Sequence, residues 1–455
     1  MRLNRSVNSA LVACALAAAF WGMFSTPRAR TVEAADDTLV FEHAKIYPSP
    51  TEPPIKDGVI VVRGGKIVAV GEFGKVEIPR PATVHNLLGF FITAGFQNSH
   101  VHFEPGKWND AEHQPAADLE KHIEAMLTRY GVTTAVDLGS DLRNTLPIRN
   151  RIASGEVKGP RILTAGGPLF PPDGVPYYVR DRVPPEILKF MAQPATPEAA
   201  VQAVDYDLDN GADLIKLFTG SLVGHEKVKP MPQDVATAAV AEAHKRGKLV
   251  FSHPSNIEGL TIAMNAGVDV LAHTTPLSGG WDDALIKQML AHHMAVIPTL
   301  QLWISEAKAG GDTDADALQF AEVGAKELGA YSRAGGQVLF GTDVGYQDDF
   351  SPEKEYELMG DAGLTPMQIL ASLTTASAER FGEANWRGRI ATGMDADLVV
   401  LAMDPQPDVK GFVPDPKQNA RNFANVCEVY RAGRQIGHYH GITNSGGLQA
   451  CVWQW

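Results

Sequence analysis

Three cysteines in 455 residues are too few for a disulfide framework. At most they supply an accessory staple in an oxidising compartment. Basic clusters are also lacking. Lys and Arg total 40 against 53 Asp and Glu, a formal charge of −13, and the cations gather nowhere along the chain. A phosphate-binding surface needs such a cluster, so nucleic acid is not an expected partner. No Gly-rich phosphate turn follows an early strand, which argues against a doubly wound nucleotide-binding sheet. The apolar run Ala10 to Phe24, ALVACALAAAFWGMF, ends after 15 residues. A membrane span needs roughly 20.

That run has a different explanation. Arg2 and Arg5 precede it, and Val32-Glu33-Ala34 follows it with small residues in place. The pattern is that of a secretory signal over residues 1–35, cleaved near Ala34 or Ala35. The mature chain is then expected in the periplasm or secreted, without stable membrane insertion. It keeps Cys427 and Cys451, which are available to pair after export.

The remaining chain has two textures. Short β-rich pieces fill residues 36–92 and return over 392–455, and they are expected to form one small composite β-sandwich domain from both chain ends. Turns are expected at Asp57-Gly58 and Gly64-Gly65. Between these pieces, over residues 93–391, apolar strands alternate with helical patterns. The strand candidates are FFITAGF, TTAVDLG, PRILTAG, DLIKLFTG, LVFSHP, VDVLAHT, AVIPTLQLW and VLFGTD. Such β–α alternation predicts an α/β fold with a (β/α)8 TIM-like barrel.

A barrel carries its chemistry at the C-terminal ends of its strands. Read there, the sequence supplies His100 and His102 in HVH, Lys216 in DLIKLF, His253 in LVFSHP, His273 in VLAHT and Asp343 in LFGTD. Side chains two apart in an extended segment share a side, so His100 and His102 can reach one metal ion. A single histidine at a strand end is usually a hydrogen-bonded core or loop residue. Metal-competent groups at five strand ends are a different matter, and they predict a metal centre. His438-Tyr439-His440 repeats the H-x-H spacing in the terminal β region, where no partner ligands surround it. His122, His244, His292 and His293 fall on helical patterns, where a surface role is the default.

Lys216 is flanked by Leu214, Ile215, Leu217 and Phe218. A buried cation there would be costly. Burial can keep the amine neutral. The neutral amine can instead take up carbon dioxide and become a carbamate, whose two oxygens bridge two cations. A lysine snorkelling to the rim is the bland alternative.

Together these motifs make the chain similar to metal-dependent hydrolases of the amidohydrolase superfamily, from about Thr38 to His440. The branch it most resembles holds imidazolonepropionases and dipeptidases acting on Xaa-Pro or Xaa-Arg/Lys bonds. The resemblance implies that His100, His102 and Asp343 hold one divalent ion and His253 and His273 a second. It implies that carboxylated Lys216 bridges them. Zinc is the default for imidazole-rich ligands, and manganese, iron and cobalt also suit them. The implied reaction is attack of a metal-bridging hydroxide on an amide, peptide or cyclic amide bond, with Asp343 carrying the proton.

The resemblance also has a departure. Ser255 stands where the dipeptidase branch commonly has a second histidine. A mononuclear deaminase would often place glutamate where this chain has Asn256. Lactone or carbamate hydrolysis would use the same ligands, and a non-catalytic metal-binding protein is the remaining alternative. For a small-molecule substrate, the long segment after strand three offers Tyr177, Tyr178 and Arg180, which could cover the site and meet a carboxylate. His225 and Trp303 are further pocket candidates. A homo-oligomer stays open.

Overall fold

The computed structural model describes residues 38–104, 106–225, 227–407 and 416–439. The leader expected over residues 1–35 lies outside them. No helix among the described residues is long and apolar enough to cross a membrane.

Both ends of the chain meet in one eight-stranded sheet. Its order is Arg434–His438, Val426–Arg431, Leu398–Leu401, Phe91–Ala94, Leu39–Ile46, Ile55–Arg63 and Lys66–Glu72, and Thr83–Asn86 also pairs with Leu39–Ile46. The seam between the two ends is the antiparallel pairing of Leu398–Leu401 with Phe91–Ala94. The sheet curls, so that Phe41 meets Tyr430 edge-on at 4.8 Å across strands that are not neighbours. Gly64-Gly65 forms a hairpin turn as expected, both residues at positive φ. Asp57-Gly58 does not turn and lies inside the strand Ile55–Arg63. Cys427 is buried in the core of this sheet and is held in a disulfide. Cys451 lies outside the described residues.

The run FFITAGF was expected to be one barrel strand, and the structure divides it. Phe91–Ala94 belongs to the curled sheet, while Phe96–Val101 opens the barrel. Gly95 is the crossing point. A Cβ there would lie 2.2 Å from Thr133 Oγ1, so the first two barrel strands can approach only over a glycine.

Seven parallel strands follow the expected order. Phe96–Val101, Val132–Asp137 and Arg161–Thr164 form one sheet. Ile215–Phe218, Val250–His253, Val270–Ala272 and Ala295–Ile297 form another. Leu169 joins them on one side, donating to Lys216 O and accepting from Phe218 N, both at 2.9 Å. On the other side the segment after Gly336 takes the eighth place. Leu339 N donates to Val296 O at 2.9 Å, Ser99 N to Phe340 O at 2.8 Å, and His102 N to Val344 O at 2.8 Å. This is the cyclic order expected of a (β/α)8 barrel.

Strand parity decides which side chains face inward. Ile215 and Leu217 pack outward against helix residues Val204 and Ala236, so Lys216 points to the other side. Phe251 lies in the inner cluster with Val270, Ala295 and Leu339, and His253 has the parity of Phe251. The helices carry ordinary start signals. Thr196 caps the helix Pro197–Asp209, and Thr365 with Gln368 forms a capping box on Pro366–Leu373. One reading fails here. AVIPTLQLW stays extended only over Ala295–Ile297, and Leu300–Ala309 is a helix that carries Trp303.

Candidate active site

The four strand-end histidines form a chain of neighbouring rings. Centroids are 5.2 Å apart for His102 and His100, 4.7 Å for His100 and His273, and 4.6 Å for His273 and His253. His100 Nε2 lies 3.2 Å from His102 Nε2. Asp343 Oδ1 lies 2.8 Å from His102 Nε2 and 3.3 Å from His100 Nε2. One ligand atom each from His100, His273 and Asp343 falls within 4.8 Å of the others.

The chain spends glycine and strain to bring these groups together. Asp343 donates its backbone N–H to His100 O at 2.9 Å, with φ of +60°. Two glycines flank it. A Cβ on Gly341 would meet Ile297 Cγ2 at 2.4 Å, and one on Gly345 would meet His102 O at 1.9 Å. Ser255, His273 and Thr299 also hold positive φ, at 55°, 83° and 46°. Such non-glycine residues cost about 1–3 kcal/mol each and persist where the surroundings over-determine them.

Hydrogen bonds assign the imidazole tautomers. The Thr299 hydroxyl donates to Pro298 O at 2.8 Å, so its oxygen accepts from His273 Nδ1–H at 2.7 Å. His273 therefore presents Nε2. Ser255 donates to Gly220 O at 3.1 Å, so Ser255 Oγ accepts from His253 Nε2–H at 3.0 Å. His253 therefore presents Nδ1. Ser255 has a definite task at the position that departed from the dipeptidase pattern. Asn256 caps the helix Ile257–Ala266, accepting from Gly259 N at 2.9 Å, which leaves it no place in proton transfer.

Electrostatics favour the neutral form at three of the four imidazoles. Burial, followed by the charge of Lys216, holds His100 well below the usual imidazole range. His253 is lowered in the same way, and for His273 burial is followed by neighbouring His253. At His102 burial works against charge, but the Asp343 carboxylate outweighs it and raises the imidazole. Lys216 is fully buried, and burial pushes its amine down to about 7, with Asp343 partly opposing. A large fraction of the amine is thus neutral near pH 7, the form that can take up carbon dioxide.

These residues fit divalent cations. Asp343 Oδ1 is buried with no aligned hydrogen-bond donor, and the Nε2 atoms of His100 and His102 converge on it. Lone pairs of His253 and His273 remain free by tautomer. A buried carboxylate oxygen and several imidazole nitrogens crowded on one point make a cation's environment.

The pocket candidates separate. Tyr178 packs on Tyr346 at 5.4 Å, and burial raises its phenol well above the usual range, with Glu306 and Asp343 adding to it. Tyr177 contacts the ring of exposed His225 at 4.5 Å. Arg180 reaches Val223 O and Asp181. Arg182 instead lies over Tyr346, 5.6 Å from the ring centroid. Trp303 is buried behind His273, its ring 5.9 Å away and its Nε1 donating to Thr274 Oγ1 at 2.9 Å. Sequence reasoning missed Glu306, which accepts from Tyr346 OH at 2.9 Å, and Glu104, which burial raises beside His102. Position in the motif was the available signal for Glu104, two residues past HVH. His438 sits by Glu428 at 3.3 Å, His244 bonds Asp269 at 2.9 Å, and His440 lies outside the described residues.

The amidohydrolase family profile matches residues 91–423. An uncharacterized protein of Mycobacterium tuberculosis is 27% identical over 335 residues, 70% of this chain and 80% of that protein. Ochratoxinase of Aspergillus niger is 23% identical over 246 residues, 52% of this chain and 49% of its own. The crystal structure of a Xaa-Pro dipeptidase with bound methionine in the active site superimposes with a TM-score of 0.73, at 21% identity, covering 88% of this chain and 99% of that one. The A. niger ochratoxinase structure gives 0.71 at 18% identity, covering 89% and 96%. Matched over most of its length, the chain belongs to the amidohydrolase family.

Proposed function

We propose that this protein is an exported, metal-dependent hydrolase that cleaves an amide, peptide or cyclic amide bond. The observation that carries the reading is the buried convergence of Asp343, His100 and His273, with His102, His253 and buried Lys216 around it. The structural neighbour named as a Xaa-Pro dipeptidase supports it. A leader-like N-terminus and the disulfide state of Cys427 support export. We assign Cys451 as its partner.

His100, His102 and Asp343 would hold one divalent cation, most simply zinc. His253 through Nδ1 and His273 through Nε2 would hold a second. Lys216 would serve both as a carbamate, formed when its neutral nitrogen adds to carbon dioxide and releases a proton. When bound, such cations polarise the substrate carbonyl and lower the pKa of a water. Asp343 accepts the proton of the attacking water and delivers it to the leaving nitrogen. Trp303 and Phe218 keep solvent from the backs of His273 and His253. Tyr178, which lies in the field of Asp343, and its neighbours Tyr346, Glu306 and Arg182 would form the wall that meets the substrate.

Protein loaded with zinc and bicarbonate should turn over at least one amide in a panel of dipeptides, N-acyl amino acids, cyclic ureas and lactones. The activity should disappear with chelator and return with metal. Turnover confined to lactones, or indifferent to chelator, would contradict the reading.

A further inference from the structure

Two of the buried acids outside the ligand set lie behind the site and have no task in the mechanism. Glu327, on the helix Asp314–Arg333, accepts the backbone N–H of Thr275 at 2.7 Å. Glu355, on the helix Glu353–Asp361, accepts the backbone N–H of Gln301 at 2.7 Å. Their exposures are 1% and 0%, and Glu355 Oε1 has no hydrogen-bond partner. Burying an acid without a cation is unfavourable, so each should answer a local need.

That need lies two residues upstream in both cases. Thr275 follows His273, whose φ is +83°, and Gln301 follows Thr299, whose φ is +46°. A β-branched residue in the left-handed region is a true outlier. Such backbone holds only if its surroundings fix it. Here Trp303 Nε1 grips Thr274 and Trp281 Nε1 grips Thr275, at 2.9 and 2.8 Å. Glu327 completes that grip. Glu355 fixes the first N–H groups of the helix that starts at Leu300, a place where an acid is favoured. Thr299, immediately before that helix, accepts from His273 Nδ1–H.

We infer that Glu327 and Glu355 are positioning residues for His273, the first fixing its backbone and the second, through Thr299, its tautomer and ring orientation. The inference rests on the reading of His273 as a metal ligand. It assigns to helices far along the chain the duty of keeping one nitrogen aimed at one cation.

The test uses the full-length protein loaded with cobalt(II), in wild type and in Glu327→Ala, Glu327→Gln, Glu355→Ala and Glu355→Gln. Chelator competition counts the ions and their affinities, and the visible cobalt spectrum reports coordination. Loss of such an outer partner typically costs about 10–100-fold in metal affinity. Each alanine variant should weaken one ion by that factor, leave the other near wild type, and shift the spectrum. The glutamine variants keep a carbonyl acceptor and should restore most of both. If an alanine variant does not fold, Glu355→Asp or Glu327→Asp, with the carboxylate drawn back by one methylene, should show the same selective weakening. Folded variants that hold both ions with an unchanged spectrum would overturn the inference and leave the metal site standing. So would equal weakening of both ions. A wild-type protein that binds no cobalt would overturn the metal reading and this inference with it.

Discussion

Asp343→Asn is expected to keep metal and lose turnover, with kcat lower by about 10² or more, the usual loss on removing a general acid/base. The substitution suits the site. Asparagine tolerates the left-handed backbone at this position, where φ is +60°. The N–H bond to His100 O is unaffected, and one side-chain oxygen remains to face the histidines. What disappears is basicity. Asp343 Oδ1, buried and without an aligned donor, is the carboxylate oxygen placed beside both His100 and His102. The acidic limb of the pH–rate profile should weaken or vanish with it. His100→Ala should behave differently and lose metal and activity together. Steady-state kinetics with parallel metal analysis separates the two. Near-normal kcat in Asp343→Asn, with the same acidic limb, would assign the proton to another group.

Lys216→Ala is expected to lose one of two ions and at least about 10² in kcat/KM, since each tenfold is about 1.4 kcal/mol and Lewis-acid stabilisation is worth several. The lysine is fully buried, and its amine, pushed down to about 7, has no need to stay charged. It faces inward because Ile215 and Leu217 pack outward on the helices. A short carboxylate added to the alanine variant should restore part of the metal and part of the rate, by occupying the place of the carbamate. Lys216→Met fills more of the same volume and should be rescued less. Wild-type metal content and rate in Lys216→Ala would show that no bridge exists.

Much of this was legible in the chain because strand ends are local features. HVH, LVFSHP, VLAHT and LFGTD each place a ligand next to its own apolar strand, and the barrel rule assembles them. That both chain ends supply strands to one unit was legible because they share one β-rich texture; a sandwich was expected, and the described strands form a single curled sheet. Other features were hidden because they depend on contacts across the fold. The run Phe90 to Phe96 reads as one strand, and its division at Gly95, where an added Cβ would lie 2.2 Å from Thr133 Oγ1, depends on a strand that is distant in sequence. The helix at Leu300–Ala309 was hidden because AVIPTLQLW is apolar throughout, and such a run does not distinguish strand from buried helix. Glu327 and Glu355 carry no motif, since their meaning comes from backbone N–H groups more than 50 residues away, separations of 52 and 54. Arg180 ends the short helix Tyr177–Arg180 and Arg182 lies just past it, and nothing local says that Arg182 covers Tyr346.

The central claim is a two-cation site bridged by modified Lys216, and metal stoichiometry tests it most directly. Protein purified without chelator and equilibrated with zinc and bicarbonate should contain close to two ions per chain by elemental analysis. Removing carbon dioxide before reconstitution should lower that count toward one. A single tightly held ion, unchanged by added metal and bicarbonate, would contradict the account.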